Sequence, residues 1–143
     1  MIERTSLPMW VDSDVIQLHH VLGALPENAW AWRMLHFSGM GQAPKQSTME
    51  DFEDQAGRPG GYLFSWPELR GFAQRLHQVC DCVLVAVDGR SPADLNRLER
   101  EAFEGCHVAI EAIDSGEWVL GVSRRVPQWQ AVHARWKDLV RPV

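Results

Sequence analysis

Apolar residues along this chain recur in two rhythms, and the switch between them is sharpest from Tyr62 to Val87. Trp66, Leu69, Phe72, Ala73 and Leu76 fall three or four residues apart, the spacing of one helix face. Ser65 precedes them as an N-cap, with Pro67 in the first turn and Glu68 at the capping-box position. Beyond Val79 the rhythm gives way to a continuous apolar run, Cys82 to Val87, the mark of a short strand covered on both faces. The pattern predicts a helix leading into a central strand.

The same reading extends to both ends of the chain. Met1 to Trp10 holds no sustained period and reads as an irregular lead-in. Asp12 or Ser13 is placed to cap a helix carrying Val15, Leu18, His19 and Leu22, with Gly23 as its stop. Ala29 to Ser38 alternates as a strand, with Trp30, Trp32, Met34 and His36 on one face and Ala31, Arg33, Leu35 and Phe37 on the other. Gly39, Gly41 and Pro44 then signal a loop, and Ser47 a cap for a short helix burying Met49 and Phe52. Ser91-Pro92 opens a further helix, with Leu95, Leu98 and Ala102 on one side. Cys106 to Ile113 and Trp118 to Val122 read as strands joined by a tight turn at 114–117. Pro127 starts a last helix that buries Trp129, Val132, Trp136 and Leu139.

These elements predict one α+β domain over residues 1–143. It is a mostly antiparallel sheet of about four strands packed against three to five helices. The turn at 114–117 requires at least one antiparallel pair.

Charge narrows the partners. Fourteen Lys and Arg against nineteen Asp and Glu leave a formal net charge of −5, the wrong sign for gripping a nucleic-acid backbone and compatible with a basic protein. No apolar run approaches the length that spans a bilayer, and Met1 to Trp10 lacks the apolar core of a signal peptide. Three cysteines, an odd number, make no disulfide framework, so the expected compartment is the cytoplasm. The seven tryptophans are expected chiefly as packing residues.

Candidate chemistry is sparse. His77, Cys80, Cys82, Cys106 and His107 are the residue types that zinc prefers, but Cys80-x-Cys82 is not knuckle spacing, so no metal is expected. Cys106 and His107 are neighbours on a strand and point to opposite faces, which bars a nucleophile–base pair between them. His19, His20 and His36 remain as bases without a nucleophile turn. Asp88, Glu111 and Asp114 are the available carboxylates, and no glycine pattern for phosphate binding occurs. No catalytic or cofactor-binding residue is assigned, and binding is the expected work.

Four pieces in fixed order resemble small bacterial immunity proteins, the antidotes encoded beside contact-dependent or secreted polymorphic toxins. They are WAWRMLHFSGMG at 30–41, STMEDFEDQ at 47–55, GGYLFSWPELRGFAQRLHQVCDCVLVAV at 60–87 and CHVAIEAIDSGEWVLGVS at 106–123. The first 28 residues and 88–105 lie outside the match. The resemblance implies a cytoplasmic, non-enzymatic α+β protein of bacterial competition that binds one toxin domain and blocks it. It carries over no binding residues. The residues themselves nominate two acidic groups to steer a basic toxin cleft, Glu50, Asp51, Glu53 and Asp54 in one and Asp114 and Glu117 in the other. Trp30, Trp32 and Trp118 are nominated as anchors. The competing classes are a small cytoplasmic enzyme and a regulatory or scaffolding module.

Overall fold

The helix and strand predicted between Tyr62 and Val87 are the centre of the fold. In the computed structural model, which describes residues 2–88 and 103–140, helix α3 runs Trp66–Gln74 and strand β6 runs Leu76–Val87. Ser65 Oγ accepts the Glu68 backbone N–H and Glu68 Oε1 accepts that of Ser65, closing the capping box at both hydrogen bonds. Those two Ser65 contacts, backbone first, hold the Glu68 carboxyl below its ordinary pKa. Trp66, Leu69, Phe72 and Ala73 face inward, as their spacing requires.

Around β6 lie β4 (Ala31–Gly41) on one side and β7 (Val108–Ile113) on the other. β5 (Tyr62–Phe64) borders β4. β8 (Glu117–Ser123) pairs with β7, and β1 (Ile2–Pro8) pairs with β8. The order across the sheet is β1-β8-β7-β6-β4-β5, with every pair antiparallel. A separate two-stranded ribbon joins β2 (Trp10–Val11) to β3 (Asp14–Val15).

Helices α1 (Leu18–Leu22), α2 (Met49–Ala56), α3 and α4 (Trp129–Asp138) all contribute to the larger core on one face of the sheet. Leu84, Ile110, Leu120, Trp32 and Met34 rise from the strands into that core. Indole N–H groups tie distant pieces together there, Trp118 to the Ile16 carbonyl and Trp136 to that of Val21. The opposite face carries a smaller cluster of Ile2, Val85, Val87, Phe103, Cys106 and Ala109. Among the described residues no helix is long and apolar enough to cross a membrane.

Several boundaries depart from the sequence reading. The sheet has six strands among the described residues where about four were expected, the additions being β1 and β5. The lead-in is β1, an edge strand with only Ile2 and Leu7 buried. Residues 10–15 form a hairpin, and α1 starts only at Leu18 behind Gln17, because Asp12 takes a left-handed turn conformation at φ 57°. Thr48 rather than Ser47 caps α2, its hydroxyl accepting the Asp51 N–H. β4 continues through Gly39 to Gly41, with register shifts between Met34 and His36 and beyond Ser38. The first of these bulges inserts Leu35 and flips the alternation, so that Phe37 enters the core and His36 faces out. The helix expected from Ser91 falls on residues 89–102, outside the described residues.

Gly61 has φ +67°, and a Cβ there would come within 2.3 Å of the Met34 carbonyl oxygen. Only glycine lets the chain turn this tightly against β4 into β5.

Candidate partner-binding surface

At one end of the sheet the β7–β8 turn meets strand β6 on one flank and the Met9–Trp10 segment on the other. The β7–β8 turn places Asp114 and Ser115 at φ 50° and 57°, with the Gly116 N–H donating to the Ile113 carbonyl. The loop is three residues, Asp114 to Gly116, and its two successive left-handed residues at non-glycine positions are each strained by roughly 1–3 kcal/mol. The strain is held in place from outside. Asp81 Oδ1 accepts the Asp114 N–H at 3.0 Å, and the Cys80 carbonyl accepts the Ser115 N–H at 2.8 Å. On the other flank, Trp10 donates its indole N–H to the Ser115 carbonyl at 2.9 Å, and the Met9 N–H donates to Gly116.

Trp10 is fixed by this bond and still 46% exposed. Ile113 and Met40 are exposed as well. Strand pairing places both on the sheet face opposite the larger core, at the same end. Asp114 and Glu117 beside the turn, and Asp12 and Asp14 on the hairpin that carries Trp10, are exposed, and Asp81 is half-buried. Glu53 reaches this end from α2, where its Oε1 accepts the Gly39 N–H at 3.4 Å. Large apolar side chains on rigid backbone within an acidic surround make a surface suited to a basic protein.

The residues nominated by sequence divide between places. Asp114 and Glu117 sit on the strained turn. Glu50, Asp51 and Asp54 are exposed on α2, where Glu50 and Asp51 also complement the positive end of the helix. Trp30 is half-buried at the opposite end of the sheet, roughly 20 Å along β6 from the turn. Its ring stacks on His107, with centroids 4.9 Å apart. Trp32 and Trp118 are 0% and 1% exposed. Both are core rings and offer a partner no contact, which corrects the expectation that they anchor one. Trp10 went unselected because its role depends on Ser115, 105 residues away. The aromatic beside the turn residues Asp12 and Ser13 is the only sequence signal for it.

The structure separates the candidate chemistry. Cys82 lies on the helix-side face and Cys106 on the other. Burial pushes the Cys82 thiol up to about 12, far from a thiolate at neutral pH. His20 is spent on α1, its Nδ1 accepting the Gln17 N–H, and burial and then His19 lower its pKa. His107 Nε2 lies 2.5 Å from Asp88 Oδ1, an imidazole–carboxylate pair at the far end of the sheet from the β7–β8 turn. Asp88, Glu111 and Asp114 are spread along the sheet rather than gathered. No group of three or more His, Cys, Asp or Glu suited to a metal ion occurs among the described residues.

Comparison with known proteins returned no matching family, no matching characterised protein and no matching solved structure.

Glu111 has a separate character. It is half-buried on the face opposite the larger core, and burial raises its pKa above the ordinary 4.5, with Arg4 opposing the shift. Below 4.5 folded and unfolded forms both hold the proton, and the stabilising contribution is complete. As pH rises from 4.5 through the folded value, the unfolded chain ionises first and that contribution is lost. Glu111→Gln cannot ionise. Its stability relative to the parent should therefore increase with pH across that window, in denaturant titrations at matched ionic strength. An unchanging difference would show that the carboxyl is fully solvated.

Proposed function

We propose that this chain is an immunity protein, which binds one toxin domain of a bacterial polymorphic toxin system and blocks it without chemistry of its own. The observation that carries this reading is the turn-end surface. Trp10 is pinned to a strained hairpin, with Ile113 and Met40 exposed at the same end of the sheet and acids around them. Binding energy concentrates where a rigid aromatic fills a partner pocket, and surrounding charges set the encounter rate. The acidic surround favours a toxin whose active-site cleft is basic, which this surface would cover.

The test is a kinetic binding series with the toxin domain encoded beside this gene, at several ionic strengths. Asp114→Lys with Glu117→Lys should slow association by about tenfold or more at low salt and flatten its salt dependence. Dissociation should change less. Reversal of Glu50, Asp51 and Asp54 to lysine should act more weakly, since two of these acids already serve the α2 N-terminus. Unaltered association in the first variant removes the turn as the steering element. If no toxin domain encoded nearby binds, the immunity reading fails and a scaffolding or enzymatic role takes precedence.

A further inference from the structure

We propose that α1 carries a proton-operated latch: neutral His20 closes its first turn, and proton uptake opens that turn while the sheet stays folded. The latch is a capping box with one part exchanged. Gln17 stands at the N-cap of α1 and His20 three residues on, where a glutamate or glutamine ordinarily reaches back to the N-cap N–H. Here the imidazole does so, Nδ1 accepting the Gln17 N–H at 2.9 Å. That bond fixes the tautomer. Nδ1 accepts only without a proton of its own, so neutral His20 carries its hydrogen on Nε2. Glu68, which fills the same place in α3, keeps its acceptor down to the carboxylate range. An imidazole loses its acceptor near neutrality, because both nitrogens of the cation are donors and Nδ1–H then opposes the Gln17 N–H.

The surroundings favour the neutral ring. His20 packs on His19 with ring centroids 4.0 Å apart, and a second imidazolium at that separation is repelled. Burial and then His19 hold the His20 pKa below the ordinary 6.5. The elements around α1 also carry Asp14 on β3, Arg70 on α3 and Arg75 at its end, His77 on β6 and Arg135 on α4. His19 is the charge that shifts the ring. The folded chain therefore binds this proton more weakly than the unfolded one. Above 6.5 the contribution of His20 to α1 is complete, and it is lost as pH falls from 6.5 through the folded value.

The fold sets what the latch holds. Leu18, Val21 and Leu22 of α1 are buried, and the Val21 carbonyl accepts the Trp136 indole N–H of α4 at 3.0 Å. Just upstream, the Ile16 N–H donates to the Met9 carbonyl and the Ile16 carbonyl accepts the Trp118 indole N–H. Neither of these two bonds involves a titrating group, so the chain before Gln17 stays anchored to β8. Opening is thereby confined to α1, and it frees three aliphatic side chains from the core. The proposal stands apart from the toxin-binding reading.

NMR of the full chain tests it in two ways. Imidazole nitrogen shifts at about pH 7.5 should show His20 as the Nε2–H tautomer, and the Nδ1–H tautomer would overturn the proposal. Amide hydrogen exchange, corrected for intrinsic rates, then follows Val21 and Gly23, whose N–H groups donate to the Gln17 and His19 carbonyls. From about pH 7.5 to about pH 5 their protection should fall by about three- to tenfold, the range of a lost helix cap, while amides of β6 keep theirs. His20→Gln retains an acceptor that does not titrate and should flatten this dependence. His20→Ala has no acceptor at any pH and should be poorly protected at both ends. Unchanged protection of the parent in acid, an equal fall in His20→Gln, full protection in His20→Ala, or a fall shared by β6 would each reject the latch.

Discussion

Phe72→Ala should destabilise the fold by about 3–5 kcal/mol and Leu69→Ala by about 2–5 kcal/mol, the ranges for emptying a packed site of a large side chain. Both residues are 0% exposed on α3. Phe72 belongs to an aromatic cluster with Phe37 of β4, Phe52 of α2 and Phe64 of β5, at centroid separations of 5.6, 4.9 and 5.3 Å. Tyr62 joins through Phe52 at 5.1 Å. These rings dock α2 and hold a three-residue strand that, among the described residues, pairs with β4 alone. A loss of this size is a large part of the roughly 5–15 kcal/mol that stabilises a typical domain. Phe52→Ala should behave alike, and the double variant should deviate from the sum because the rings touch. Chemical denaturation measures all four variants, and changes within about 0.5 kcal/mol for Leu69→Ala and Phe72→Ala would place this face of α3 at the surface.

The second large effect concerns binding. On the immunity reading proposed above, Trp10→Ala should weaken affinity for the toxin domain by about 2–4 kcal/mol, the scale of a central aromatic anchor, mainly through faster dissociation. The free protein should lose less stability than in the core variants, since the ring is 46% exposed and gives up one hydrogen bond. Charge reversal at Asp114 and Glu117 acts on association instead, so the two variants separate anchoring from steering. Trp30→Ala is the internal comparison, because Trp30 lies at the far end of the sheet. If Trp30→Ala costs the affinity and Trp10→Ala does not, the interface lies around Trp30 and His107.

What could be read from sequence follows from how each element earns its burial. α3 and β6 declare themselves because one has a full apolar face and the other is covered on both sides. The β7–β8 hairpin declares itself through Asp114-Ser115-Gly116 between alternating strands. β1 does not, because an edge strand buries little; Arg4 and Ser6 are exposed and only two residues enter a core. β5 is too short to show a period. In β4, alternation is legible only as far as the bulge at Leu35, after which the two faces exchange and His36 and Phe37 take opposite roles. The acids of the turn were visible, but the ring beside them was not. Exposure at Trp10 is decided by which strands meet, and Trp32 and Trp118 have the same composition signal with the opposite outcome.

The pairing of β1 with β8 sets an order on self-assembly. Ile2 lies opposite Ser123, so the first described strand finds its place only against one of the last to be synthesised. The helix–strand unit of α3 and β6 is local and can organise early, whereas closing β1 onto β8 brings together segments about 120 residues apart, at a large entropic cost before any contact forms. Until β1 docks, the outer edge of β8 is a row of unpaired backbone groups open to strands of other chains. Stopped-flow refolding should accordingly show Arg4→Gly slowing the final phase little while speeding unfolding, the signature of a strand that closes the sheet after the rate-limiting step.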